Sequence, residues 1–178
     1  MIDHNSPVIS CRDDLIAFLK TRFDYLDIRE SYINVDQDFP LKKTLITVSK
    51  GKPIVKNIGF DNYLGESYDE INEEIIETKG KELSIFYDLH IWNNKSPKFG
   101  GEKEIERIQE QLQSIFEFES DVLDDITFFS FKEGDIVEDP FKEELFHSRC
   151  RLEVRILWKR EFKYEVINEI IPHADLLE

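Results

Sequence analysis

The chain is poor in the residues that brace small proteins covalently. It has two cysteines in 178 residues, Cys11 and Cys150, far apart and outside any Cys-x-x-Cys pair, so neither a disulfide framework nor a zinc site is encoded. Reduced thiols of a cytoplasmic protein are the expectation. Basic residues are also few. Against 38 Asp and Glu there are 23 Lys and Arg, a net charge of −15, which disfavours nonspecific binding to nucleic-acid phosphates or anionic membrane. No apolar run approaches the ~20 residues that span a bilayer. Met1-Ile2-Asp3-His4-Asn5 has neither the basic nor the apolar region of a secretory signal, so no leader is expected. Also missing are a Gly-rich phosphate loop, a Gly-x-Ser-x-Gly elbow, a His-x-x-x-His pair, an internal repeat and a low-complexity segment.

What is present points to one folded domain. The length suffices to bury a core without disulfides or metal. Fourteen Phe, six Tyr and two Trp supply large apolar side chains for it. The organising stretch is 83–118. Leu83, Ile85, Tyr87, Leu89 and Ile91 alternate with Ser84, Asp88 and His90, the period of a strand with one buried face. Asn93 to Gly101 carries Pro97 and the pair Gly100-Gly101, and reads as a loop. Ile105, Ile108, Leu112, Ile115 and Phe116 then recur at helical spacing, with Glu104, Gln109, Glu110, Gln111 and Gln113 on the other side.

Around this unit the pattern predicts further elements. Ser10 and Asp13 resemble a capping box opening a helix over 11–25, striped by Leu15, Phe18, Leu19 and Phe23. Runs at 44–49 and 54–58, separated by Gly51 and Pro53, read as a hairpin. Residues 61–82 read as an acidic helical insertion, started by the capping box Ser67–Glu70 and ended by Gly80. Ile126–Phe131 is an aromatic strand, 132–146 a long loop, and Arg151–Arg160 a long strand with one apolar and one basic face. Residues 163–178 could be strand, helical turn or an arm onto a neighbour.

Charge is unevenly spread. Residues 102–144 hold fifteen acidic side chains against four basic ones, whereas 145–164 carries Arg149, Arg151, Arg155, Lys159, Arg160 and Lys163 against Glu153 and Glu161. Such polarity can join copies head to tail, a contact that closes into rings. Candidate interface residues are Arg149, Arg151 and Arg155 on the basic side. On the acidic side they are Glu104, Glu110, Glu133, Asp135, Glu138 and Asp139.

Catalytic or metal-binding constellations are weak. His90 faces away from the apolar row of its strand and needs an acid partner that spacing does not supply. His147 lies near Ser148 and Cys150, but residues three apart on a strand face opposite ways. The carboxylates Asp121, Asp124 and Asp125, and Glu133, Asp135, Glu138 and Asp139, lack the spacing of a calcium loop. No cofactor, metal or catalytic residue is therefore assigned. An acidic binding module, such as a DNA mimic, and a small hydrolase in which the histidines converge are the readings from other classes.

The order of parts supplies a resemblance. The strand ending Leu89-His90-Ile91-Trp92, the Gly-Gly loop, the helix Glu104–Phe118, the loop with Asp139-Pro140, and His147-Ser148 leading into Arg151–Arg160 resemble the tail terminator (tail completion) proteins of long-tailed bacteriophages, over residues 8–162. The resemblance implies a non-enzymatic α+β protein: a small, mostly antiparallel sheet flanked by an N-terminal helix and by a long helix after the central strand. It implies a homohexameric ring at the head-proximal end of the tail tube, in a virion assembled in the host cytoplasm. The tube protein and a neck or head-completion protein would be partners, with DNA passing through the lumen. A neck or head-tail joining adaptor is the alternative from the same machinery.

Overall fold

The central strand extends well beyond its apolar core. In the computed structural model, which describes residues 6–30, 41–49, 51–119, 126–139 and 144–165, it runs Glu74–Asn94 as β5. The protein is α+β, and its sheet is mostly antiparallel. In order come α1 (Pro7–Arg22), β1 (Asp27–Arg29), β2 (Leu45–Val48), β3 (Lys52–Asn57), β4 (Tyr63–Asp69), β5, a 3-10 turn (Pro97–Phe99), α2 (Gly101–Phe118), β6 (Ile126–Lys132), β7 (Ile136–Glu138) and β8 (Leu145–Glu165). The sheet has eight strands in the order β1-β2-β5-β8-β6, with β3 and β4 also on β5 and β7 on β8. β1 and β2 are parallel.

The chain divides into two compact units. The larger holds Met1–Val55 and Leu83–Leu157. Its core joins Leu15, Phe18 and Leu19 of α1 and Ile105, Ile108 and Leu112 of α2 to the row Leu83, Ile85, Tyr87, Leu89 and Ile91, and to Cys150, Leu152 and Val154 of β8. Full burial of one such side chain is worth roughly 1.5–3 kcal/mol, so the apolar stripe of α2 is a principal source of stability. The Tyr87 hydroxyl donates to the Val8 carbonyl at 2.8 Å, fixing the first turn of α1 to the sheet. A smaller cluster of Leu41, Leu45, Trp92 and Leu145 forms where β5 turns its alternate residues the other way.

The smaller unit holds Lys56–Glu82 and Trp158–Glu178. Here the predicted acidic helix is replaced by strands: β4 pairs with β5 from Tyr63↔Lys79 to Asp69↔Glu74. The Asp69 carboxylate makes the turn. It accepts from the Ile71 and Asn72 amides at 3.0 and 3.2 Å and from Asn72 Nδ2 at 2.8 Å, and Glu73 takes φ 53°. An acid that satisfies the amides of a tight turn competes with the helix that a capping box would start. Gly80 accordingly lies within a strand and caps no helix.

Other boundaries shift for local reasons. The first helix begins at Pro7 behind Ser6, because proline is suited to the first helical position; Ser10 is inside it, and it ends at Arg22. β2 and β3 form no hairpin with each other, and both pair with β5. The segment 132–146 contains β7, which pairs with β8 from Ile136↔Ser148 to Glu138↔Phe146. Gly100 and Gly101 have φ 82° and 57°, the left-handed geometry that lets a tight turn open straight into α2. The carboxylates Asp121, Asp124 and Asp125 and the arm after Glu165 lie outside the described residues.

Candidate functional site

The sheet alternation that buries Leu89 and Ile91 against the helices turns Asp88, His90 and Trp92 to the opposite face. There β2 lies alongside, with Thr47 opposite His90 and Leu45 opposite Trp92. β8 contributes His147, Arg149 and Arg151 by the same period. The two histidines that sequence left apart meet here: His90 Nδ1 and His147 Nε2 are 2.9 Å apart. Their planes differ by 2° and their centroids lie 5.1 Å apart. Coplanar rings with this nitrogen contact meet edge to edge, with one N–H donated to the other ring's lone pair. Trp92 lies flat on His147, centroids 3.9 Å apart.

The surroundings favour neutral rings. Burial lowers the pKa of His90, the nearby Arg149 charge adds to this, and Asp88 opposes it. Burial also pushes His147 down to about 4, helped by His90 and Arg149 and opposed by Asp139. Next to the pair, Asp88 receives Arg149 at 2.6 Å and Arg151 at 3.3 Å. Burial alone would raise the Asp88 pKa; the hydrogen bonds and charge of the two arginines outweigh it and hold the carboxyl below its usual value. Trp92 Nε1 is buried without a hydrogen-bond partner among the described residues.

The other residues near His147 are engaged elsewhere. Ser148 and Cys150 point into the helix-covered side, as strand alternation predicts for Cys150. Gln109 Nε2 donates to the Gly134 carbonyl at 2.7 Å and to Ser148 Oγ at 2.9 Å, and Ser148 Oγ donates to the same carbonyl at 3.0 Å. Gln109, assigned to the polar side of α2 by pattern, is thus a buried link between α2, β8 and the turn before β7. Gly134 is required there: a Cβ would stand 2.0 Å from the Arg149 carbonyl oxygen. Both cysteines are buried free thiols. Among the described residues, no group of three or more His, Cys, Asp or Glu is placed to hold a metal ion.

The chain matches no protein-family model, and no curated protein is similar to it in sequence.

The interface candidates separate in space. Arg149 and Arg151 share Asp88 while staying more than half exposed. Arg155 pairs with Glu153 at 3.2 Å, Glu138 with Lys95 at 2.8 Å and Glu104 with Arg107 at 2.7 Å. Glu110, Glu133 and Asp135 are exposed. Asp139 corrects the expectation of a surface carboxylate: it is 6 % exposed, its amide donating to the Leu145 carbonyl at 2.9 Å where β7 meets β8. No described helix is long and apolar enough to cross a membrane.

The smaller unit carries what composition did not reveal. Among its described residues only Gly80 is buried. Phe60, Tyr63, Tyr68, Ile71, Ile75, Trp158 and Tyr164 are all exposed large apolar side chains. A recess of about 290 Å³ lies among Lys79, Lys81, Trp158, Arg160 and Phe162. The Lys79 ammonium and Arg160 guanidinium sit 5.9 and 5.4 Å from the Phe162 ring centre. Neither β4 nor the start of β5 alternates between apolar and polar residues, so the sequence offered no period-two signal against the capping-box pattern.

Proposed function

We propose that this chain is a bacteriophage tail terminator: a structural virion subunit that closes as a hexameric ring at the head-proximal end of the tail tube. There it ends tube growth and presents a surface to the neck or capsid. The observation that carries the reading is the smaller unit, whose strands leave their aromatic and aliphatic side chains at the surface. Strands without an interior of their own gain one from neighbours, and exposed apolar surface on this scale marks an interaction site. The sequential order of strand, Gly-Gly loop, helix and basic strand supports the same assignment. Net charge of −15 suits a ring around passing DNA, because an acidic lumen repels the phosphates and prevents sticking.

In this reading the His90–His147–Trp92 cluster is structural. It joins β5 to β8 and needs no substrate. Negative-stain microscopy of the purified protein tests the proposal. Rings with a central pore are expected, alone or on tube ends; particles of single-chain size under every condition, with and without tubes, would refute it.

A further inference from the structure

A recess in the smaller unit joins aromatic rings to cations that have no carboxylate partner. Strand alternation sets Lys79 and Lys81 on one face of β5, and Trp158, Arg160 and Phe162 on one face of β8. The two rows meet at the recess of about 290 Å³. Both Lys79 and Arg160 lie against the Phe162 ring, 5.9 and 5.4 Å from its centre. The turn between β3 and β4 borders the same space, tied to β5 by the Gly80 amide, which donates to the Asn62 carbonyl at 2.8 Å. The side-chain oxygen of Asn62 accepts from the Ile58 amide at 3.2 Å, which leaves its NH2 group as a donor at the rim.

The cations at the recess differ in what already neutralises them. Lys79 is held by Asp61 at 3.1 Å and Glu77 at 3.5 Å. Lys81 and Arg160 have no carboxylate partner among the described residues, although the chain carries 38 acidic side chains against 23 basic ones. Lys81 is half-buried, and Trp158 keeps 49 % of its surface exposed. We propose that the recess binds a mononucleotide, with its base stacked on Trp158 and its phosphate held by Lys81 and Arg160. Two cations match the charge of a phosphate monoester, about −1.5 to −2 at neutral pH. Arg160 offers a planar fork to the phosphate oxygens, and Lys81 a point charge. An aromatic face accepts any base. The volume lies at the lower end of small-molecule sites, which run from about 300 to 1,000 Å³, and so suits one nucleotide rather than several. A longer strand would set further phosphates against a chain of net charge −15, which favours the free mononucleotide over single-stranded DNA.

This site goes beyond the ring proposal and does not rest on it. Titration of the whole chain with deoxyadenosine monophosphate, followed by calorimetry and by tryptophan emission, tests it. Saturable binding is expected with half-saturation below about 1 mM, together with quenching that disappears in Trp158→Phe. Deoxyadenosine and inorganic phosphate each supply half of the ligand and should bind roughly tenfold or more weakly. Lys81→Glu and Arg160→Glu should weaken binding by as much while the circular dichroism spectrum and melting curve stay native, since neither side chain is in an ion pair among the described residues. An oligodeoxyadenylate without terminal phosphates should bind more weakly than the mononucleotide. The proposal is overturned by any of four results: no saturable binding to the native chain, deoxyadenosine or the oligonucleotide binding as tightly as the monophosphate, quenching retained in Trp158→Phe, or full affinity in the folded charge variants.

Discussion

His90 and His147 meet nitrogen to nitrogen at 2.9 Å in one plane, on the face of the sheet away from the helices. Each ring limits the other's protonation, since a second charge beside the first in a half-buried site is unfavourable. The contact ties the end of β5 to the start of β8, and its strength depends on pH.

The sign follows from His147. Its folded pKa, about 4, lies below that of the unfolded chain, so between pH ~6.5 and 4 the unfolded state binds more protons. Stability from this ring is complete above that window and is lost as pH falls through it. The ring is partly solvated, so the loss is on the order of 1 kcal/mol. Urea unfolding at pH 7, 5.5 and 4.5 should show a shallower acid loss in His147→Gln than in the native chain. Equal slopes would mean that the pair does not titrate as its burial requires.

Gly134→Ala should be strongly destabilising. The new methyl would collide with the Arg149 backbone and displace the carbonyl that Gln109 and Ser148 both bind. A loss on the order of 3 kcal/mol, read as a fall in Tm of roughly 6–12 °C, is expected. A Tm within 2 °C of the native value would contradict the close approach.

The two sides of α2 should separate stability from assembly. Ile108→Asp or Leu112→Asp places a carboxylate at a fully buried position and should unfold the chain. Glu104→Lys and Glu110→Lys should leave the circular dichroism spectrum intact, the loss of the Glu104–Arg107 pair costing under ~1 kcal/mol. If these outer changes unfold the protein as the core changes do, the division fails.

Reversal of Arg149, Arg151 and Arg155 to Glu should abolish ring closure at low salt. It also sets carboxylates beside Asp88 and Glu153 within the chain, so the melting curve must be measured alongside. Intact rings from a folded triple variant would exclude a head-to-tail charge contact through this face.

Much of the larger unit was legible in its alternations. The row Leu83 to Ile91, the stripe Ile105 to Phe116, and Leu152 with Val154 show one buried face each, and that periodicity survives in the fold. The smaller unit was not legible, because Ser67–Glu70 satisfies a capping pattern while Asp69 satisfies a turn, and only the pairing of β4 with β5 decides between them. Gln109 was misplaced because a polar residue on a helix reads as solvated unless its partners, here on β8 and before β7, are known. His90 and His147 stand 57 positions apart, so their meeting depends on the register of β8 against β5, which single-strand periodicity does not carry.

Native mass spectrometry across a range of concentration and salt tests the ring most directly. The account predicts closed assemblies of six copies of the 21.2 kDa chain. A protein that populates only single chains or pairs throughout, in the presence of tail tubes as well as alone, would contradict it.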